Sequence, residues 1–173
     1  MVANGNGNHE KDSVPSGFGL RSQWMWHVVE HRARVQANME RVCGELMARA
    51  LEHDTSKMNA EEADKFSVLL PRLEKTTYGT PEYTRLLKEL GSALDHHYAN
   101  NSHHPEHFAE GIAGMSLIDV IEMFVDWVAA TMKHADGNIY DSIEKNRKRF
   151  SLSPELATIF KNTADAMGFK DTD

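Results

Sequence analysis

The 173-residue chain has a single cysteine, Cys43. That excludes an internal disulfide framework and a thiolate zinc cluster, so any metal must be held by histidine and carboxylate. Positive charge is also short: 19 Lys and Arg stand against 26 Asp and Glu, for a net charge of −7. General nucleic-acid binding needs a basic footprint and is not expected. Long hydrophobic runs are missing as well. The most apolar segment, 115–132, is interrupted by Asp119, Glu122 and Asp126, which argues against a membrane helix. The polar N-terminus has no apolar stretch that could serve as a signal peptide. Together these absences point to a cytoplasmic protein without a membrane partner. No convincing strand pair and no internal repeat is present.

What is there reads as helix. The length fits one domain, able to bury about 70% of its unfolded surface. Residues 1–18 are too polar to offset the cost of ordering and are expected to form a flexible tail, followed by a single domain over 19–170. Trp24, Val28, His31, Val35, Met39, Val42 and Leu46 recur at steps of three and four, predicting a helix from Ser22 to about Glu52. This helix and its tryptophans could complete the core or pack against a second subunit. A second helix is expected from Asn59, with Glu61 and Glu62 in its first turn, to about Leu70, where Pro71 disturbs it. Thr80-Pro81-Glu82 has the order of a cap, a first-turn proline and a first-turn acid, and its helix should continue to His97. Ser116 caps a helix to about Met132. A shorter one covers Tyr140–Arg149, and Ser153-Pro154-Glu155 starts the last, ending near Gly168. The fold class is all-α, with five to seven helices.

Ten histidines are the feature to explain. Five of them, His96, His97, His103, His104 and His107, fall within twelve positions. His53-Asp54 pairs an imidazole with a carboxylate, and Lys57 one turn on could reach an anion bound there. His31 sits within the apolar stripe of the first helix, where a lone histidine is more often a core residue than a ligand. His9, His96, His107 and His134 read as incidental. The helix after Ser116 is apolar nearly all round and is expected to be buried. Its acids Asp119, Glu122 and Asp126 lie at i, i+3 and i+7, on one stripe. Buried carboxylates must be paired, hydrogen-bonded or metal-bound; salt bridges are the plain alternative. His31, His53, Asp54, His97, His103 or His104, and Asp126 make an ordered set of six ligands. They would suit one or two divalent metals (Mn, Fe, Co, Ni or Zn), with Asp54 as a bridge.

This pattern resembles the HD superfamily of helical metal-dependent enzymes, through His31, His53-Asp54 and Asp126. More narrowly, residues 27–135 resemble a group of short, largely uncharacterised bacterial and phage members. The matching pieces are His31-Arg-Ala-Arg-Val35, His53-Asp54-x-Ser56-Lys57, His97-x-x-x-Asn101-x-His103-His104 and Glu122-Met123-x-x-Asp126-Trp127. Pro105-Glu106 departs from the group, which has an aromatic after the histidine pair, and the linker 74–89 is longer. The resemblance implies an HD-like helical bundle with the site between helices.

The expected activity is hydrolysis of a phosphoester, in a small phosphorylated substrate such as a nucleotide, by metal-activated water. His31, His53, Asp54 and Asp126 would hold one ion; Asp54, His97 and His103 or His104 would hold a second. Lys57 would neutralise phosphate charge, and Glu122 would act as general base or as hydrogen-bond acceptor for a ligand histidine. The basic run Lys145, Arg147, Lys148, Arg149 could attract phosphate or be a solvated face. Two alternatives stand beside hydrolysis: a di-iron oxygenase on a small polar substrate, and a non-catalytic metal-containing binding module.

Overall fold

The computed structural model describes residues 19–77, 80–133 and 137–169. The expected tail over 1–18, with His9, lies outside the described residues, as do Gly79 and His134. Seven α-helices follow in order: α1 (Leu20–Glu52), α2 (Ala60–Leu73), α3 (Pro81–Leu90), α4 (Ser92–Asn100), α5 (Leu117–Thr131), α6 (Ile139–Phe150) and α7 (Pro154–Met167). No strand occurs among the described residues. The fold is all-α. No helix among them is long and apolar enough to cross a membrane.

The chain divides into two compact units, Met1–Gly44 and Glu45–Asp173, with the boundary inside α1. The periodicity of the first segment predicts its helix correctly, yet α1 has no buried residue. Trp24, Met39 and Met47 are each more than 60% exposed. His31 is exposed on this helix. Periodicity is a local property of the backbone; burial is not, so one does not guarantee the other.

The second unit holds two hydrophobic clusters. One joins α5, α6 and α7 through Met123, Phe124, Trp127, Ile139, Ile143, Leu152 and Phe160, among others. Phe124 and Phe160 stack there with centroids 5.0 Å apart. The other joins α2, α3 and α4 through Phe66, Leu69, Leu86, Leu90 and Ala93. Each such fully buried side chain stabilises by roughly 1.5–3 kcal/mol relative to leaving it in water.

Helix ends largely follow their caps. The Thr80 side chain accepts from the Tyr83 amide with Pro81 in the first turn. Ser116 and Asp119 form a reciprocal capping box. Ser153 accepts from the Leu156 amide, and α7 ends on Gly168 in the left-handed conformation.

Three expectations need correction. The helix expected over 81–97 is broken at Gly91, whose φ of 49° and ψ of −124° suit a residue without Cβ. The carbonyl of Leu90 at that break accepts from Lys65 Nζ at 3.1 Å. Helix α2 runs past Pro71 to Leu73; the proline stands in the last turn, where it forgoes one backbone hydrogen bond without ending the helix. Helix α5 is not buried all round: Leu117 is 72% and Val125 47% exposed.

Candidate metal centre

The centre lies wholly within the second unit. Helix α1 ends at Glu52, and Asp54 adopts the left-handed conformation, φ 58° and ψ 14°, before a 3₁₀ turn over Thr55–Met58. Asp tolerates this region better than most residues. His97 comes from α4, and His103 and His104 from the turn that follows it. Glu122 and Asp126 come one turn apart on α5.

One ligand atom each from Asp54, His97, His103 and His104 can be drawn within 4.8 Å of one another, a cluster that could hold a metal ion. Asp54 Oδ1 lies 3.3 Å from His97 Nε2 and 3.6 Å from His103 Nε2. His97 Nε2 and His104 Nε2 are 3.0 Å apart. Tetrahedral bonds of about 2.0–2.1 Å put ligand atoms about 3.3–3.4 Å apart, so these spacings fit a single ion. Both His103 and His104 enter the cluster, where the sequence left one or the other. His53 Nε2 faces Asp54 Oδ2 and Asp126 Oδ1, each at 3.6 Å. His31 belongs to the first unit and to neither histidine–carboxylate cluster.

The other imidazole nitrogens are taken by two glutamates. Glu122 Oε1 is 2.8 Å from His53 Nδ1 and 3.1 Å from His103 Nδ1. Glu62, fully buried, has Oε2 2.9 Å from His97 Nδ1 and Oε1 2.7 Å from His96 Nδ1. A carboxylate only accepts, so the facing Nδ1 must carry the hydrogen. In neutral His97 and His103 this leaves Nε2 as a lone pair turned to the cluster. Glu62 is missed by a reading of the sequence, where it is an ordinary first-turn acid.

Arg49 backs this arrangement. Its Nε donates to Glu122 Oε2 at 2.7 Å, and its Nη2 donates to Asp119 Oδ1 at 2.9 Å and Ser102 Oγ at 2.8 Å. Asp119 and Glu122 thus both take the salt-bridge role weighed for the three α5 acids. Burial would raise the pKa of Asp119, but Ser102, Ser116 and Arg49 hold it down at about 2. Glu122 has Oε1 on two imidazoles and Oε2 on Arg49. That is the geometry of the hydrogen-bond acceptor rather than of a base with a free oxygen.

The electrostatics split the histidines. Burial holds His97 and His103 below the ordinary histidine value, helped by Lys57 for His97 and by His53 for His103. Burial, with His103 and His97 alongside, pushes His104 down to about 3. His53 moves the other way, to about 9, chiefly through its hydrogen bond to Asp126, against burial and with help from Glu122. Burial would raise Asp54, but Lys57 Nζ, 2.5 Å from Oδ2, holds it low. Burial would likewise raise Asp126, and the hydrogen bond from His53 outweighs it. Neutral imidazoles facing ionised carboxylates are the protonation states that a cation needs.

Beside the cluster lies a cavity of about 730 Å³ whose lining includes Arg49, Ser56, Asn101, Ser102, His103 and Glu122. The residues that line it are polar or charged.

The sequence model of DUF5662, a family of unknown function, matches residues 21–166. The chain belongs to that family. No curated protein and no solved structure matches. The match spans every helix of the centre, so this DUF5662 chain offers its ligands from within the family's matched region.

Proposed function

We propose that this DUF5662 protein is an HD-type metal-dependent phosphohydrolase acting on a small phosphorylated substrate such as a nucleotide. The observation that carries the reading is a pair of sheltered atoms, Asp54 Oδ1 and His103 Nε2, that have no hydrogen-bond partner among the described residues. Leaving such an atom unsatisfied costs about 1–3 kcal/mol, more for a charged group. A cation between them would relieve both at once. His97, His103, His104 and Asp54 would hold one divalent ion; His53, Asp54 and Asp126 would hold another.

A bound divalent metal would supply an activated water and draw charge from phosphate oxygens. The chain's own groups do the rest. Glu62 and Glu122 fix the imidazoles through their Nδ1 hydrogens. Lys57, about one-third exposed at the rim and 2.5 Å from Asp54, would transfer its charge to the phosphate once Asp54 is engaged. Hydrolysis joins the water oxygen to phosphorus, breaks the ester P–O bond and returns a proton to the leaving alcohol.

The test is elemental analysis of protein purified without added metal or chelator, followed by phosphate and pyrophosphate release over a nucleotide panel. Bound metal with phosphate release supports the reading. Two irons with substrate-dependent oxygen consumption and no phosphate would replace it with the oxygenase. No metal uptake on titration would leave a helical binding module. Lys57→Ala should raise KM about 10-fold, the low end for a hydrogen bond to a charged group, with metal content unchanged; unaltered kinetics would remove Lys57 from substrate binding.

The raised pKa of His53 gives a pH signature. Coordination through Nε2 requires loss of the imidazolium proton. Metal affinity should therefore rise about tenfold per pH unit from neutral pH and flatten above about 9. Without metal the sign for stability is opposite: the stabilisation from charged His53 is complete below about 6.5 and lost as pH rises through about 9. Calorimetric titration of the metal across this range checks the slope; a flat profile overturns the assignment of His53 as a ligand.

A further inference from the structure

Glu62 is 0% exposed, at the first turn of α2. Its carboxylate meets His97 Nδ1 at 2.9 Å and His96 Nδ1 at 2.7 Å. No lysine or arginine among the described residues is shown in an ion pair with it. A carboxylate withdrawn from water without a full cation is a costly way to fill space, and a leucine would pack there more cheaply. What the carboxylate does, and a leucine cannot, is accept a hydrogen from Nδ1. That turns the lone pair of His97 Nε2 towards Asp54 Oδ1, 3.3 Å away. Glu122 does the same for His53 and His103, so Glu62 reaches the cluster through His97 alone.

We infer that Glu62 is a positioning residue: it sets the tautomer and aim of His97, and through it the affinity of the ion held at His97, His103, His104 and Asp54. This rests on the metal reading above. The metal used as probe is zinc, or cobalt(II) for its visible spectrum.

In Glu62→Leu the side chain fills the space but accepts from neither imidazole. The equivalent of zinc that is lost in His97→Ala should bind about 10- to 100-fold more weakly, the usual effect of removing an orienting partner. Its cobalt bands should change with it. Glu61→Gln, at an exposed neighbour whose carboxylate lies 3.3 Å from His96 Nε2, should leave both readouts unmoved. Circular dichroism shows whether the variant is folded. If it is not, the wild-type protein decides: ¹⁵N shifts of the His97 ring should show the hydrogen on Nδ1 in the metal-free protein.

Unchanged zinc affinity in folded Glu62→Leu, or a hydrogen on His97 Nε2, overturns the inference while leaving the metal reading intact. Failure of the wild type to take up zinc or cobalt overturns the metal reading instead, and the His97 ring still reports on Glu62.

Discussion

Asp54→Asn is expected to lose its metal, with affinity reduced by more than the roughly 100-fold that marks the loss of an orienting partner. Asp54 serves both halves of the centre: Oδ1 faces His97 and His103, and Oδ2 faces His53 and Lys57. Asparagine keeps the size of the side chain and tolerates the left-handed backbone at φ 58°. The apo fold should therefore survive, with a melting temperature close to wild type. Alanine would add the cost of that backbone, about 1–2 kcal/mol, and blur the comparison. Lys57 loses its partner, but at 34% side-chain exposure it remains in contact with water. Elemental analysis beside a thermal melt separates the two effects. A variant with full metal content would show that the centre is not where the geometry puts it, and phosphate release should fall with the metal.

Arg49→Ala is expected to destabilise the fold by about 3 kcal/mol, the lower end of the cost of breaking a buried ion pair. Arg49 bridges two acids, Asp119 and Glu122, whose side chains are only 9% and 10% exposed. Without it both stay buried as anions. The loss is at the lower end because Asp119 keeps the hydroxyls of Ser102 and Ser116 and Glu122 keeps His53 and His103. Against a typical total stability of about 5–15 kcal/mol, that is a large fraction. Arg49→Lys should recover only part of it, since an ammonium lacks the planar fork that reaches both acids. Urea unfolding midpoints at neutral pH measure the difference; a loss under about 1 kcal/mol would mean that the two carboxylates find water instead.

The two variants act on opposite sides of one layer. Asp54 belongs to the face where Nε2 atoms converge, and Arg49 to the face where Nδ1 atoms are held. Asp54→Asn should spare stability and remove metal. Arg49→Ala should cost stability first and weaken metal through Glu122.

Much of this protein is written locally. The spacing of apolar residues and the caps at Thr80, Ser116 and Ser153 define helices within a turn or so of where they lie, because 3.6-residue periodicity and unsatisfied terminal amides are properties of a few neighbouring residues. The candidate ligands are legible for a related reason. His53-Asp54 and the His97 to His104 stretch carry chemistry unusual enough to mark themselves, and most of their geometry comes from one left-handed residue and one short turn. Tertiary structure alone decided the partners. Glu62 in sequence is a first-turn acid and Arg49 a last-turn base; that each holds other groups across 34 to 73 residues of chain is set by how helices pack. The break at Gly91, the joint entry of His103 and His104, and the exposure of α1 belong to the same class. Burial and long-range pairing depend on what the rest of the chain brings alongside, and no window of neighbouring residues contains that information.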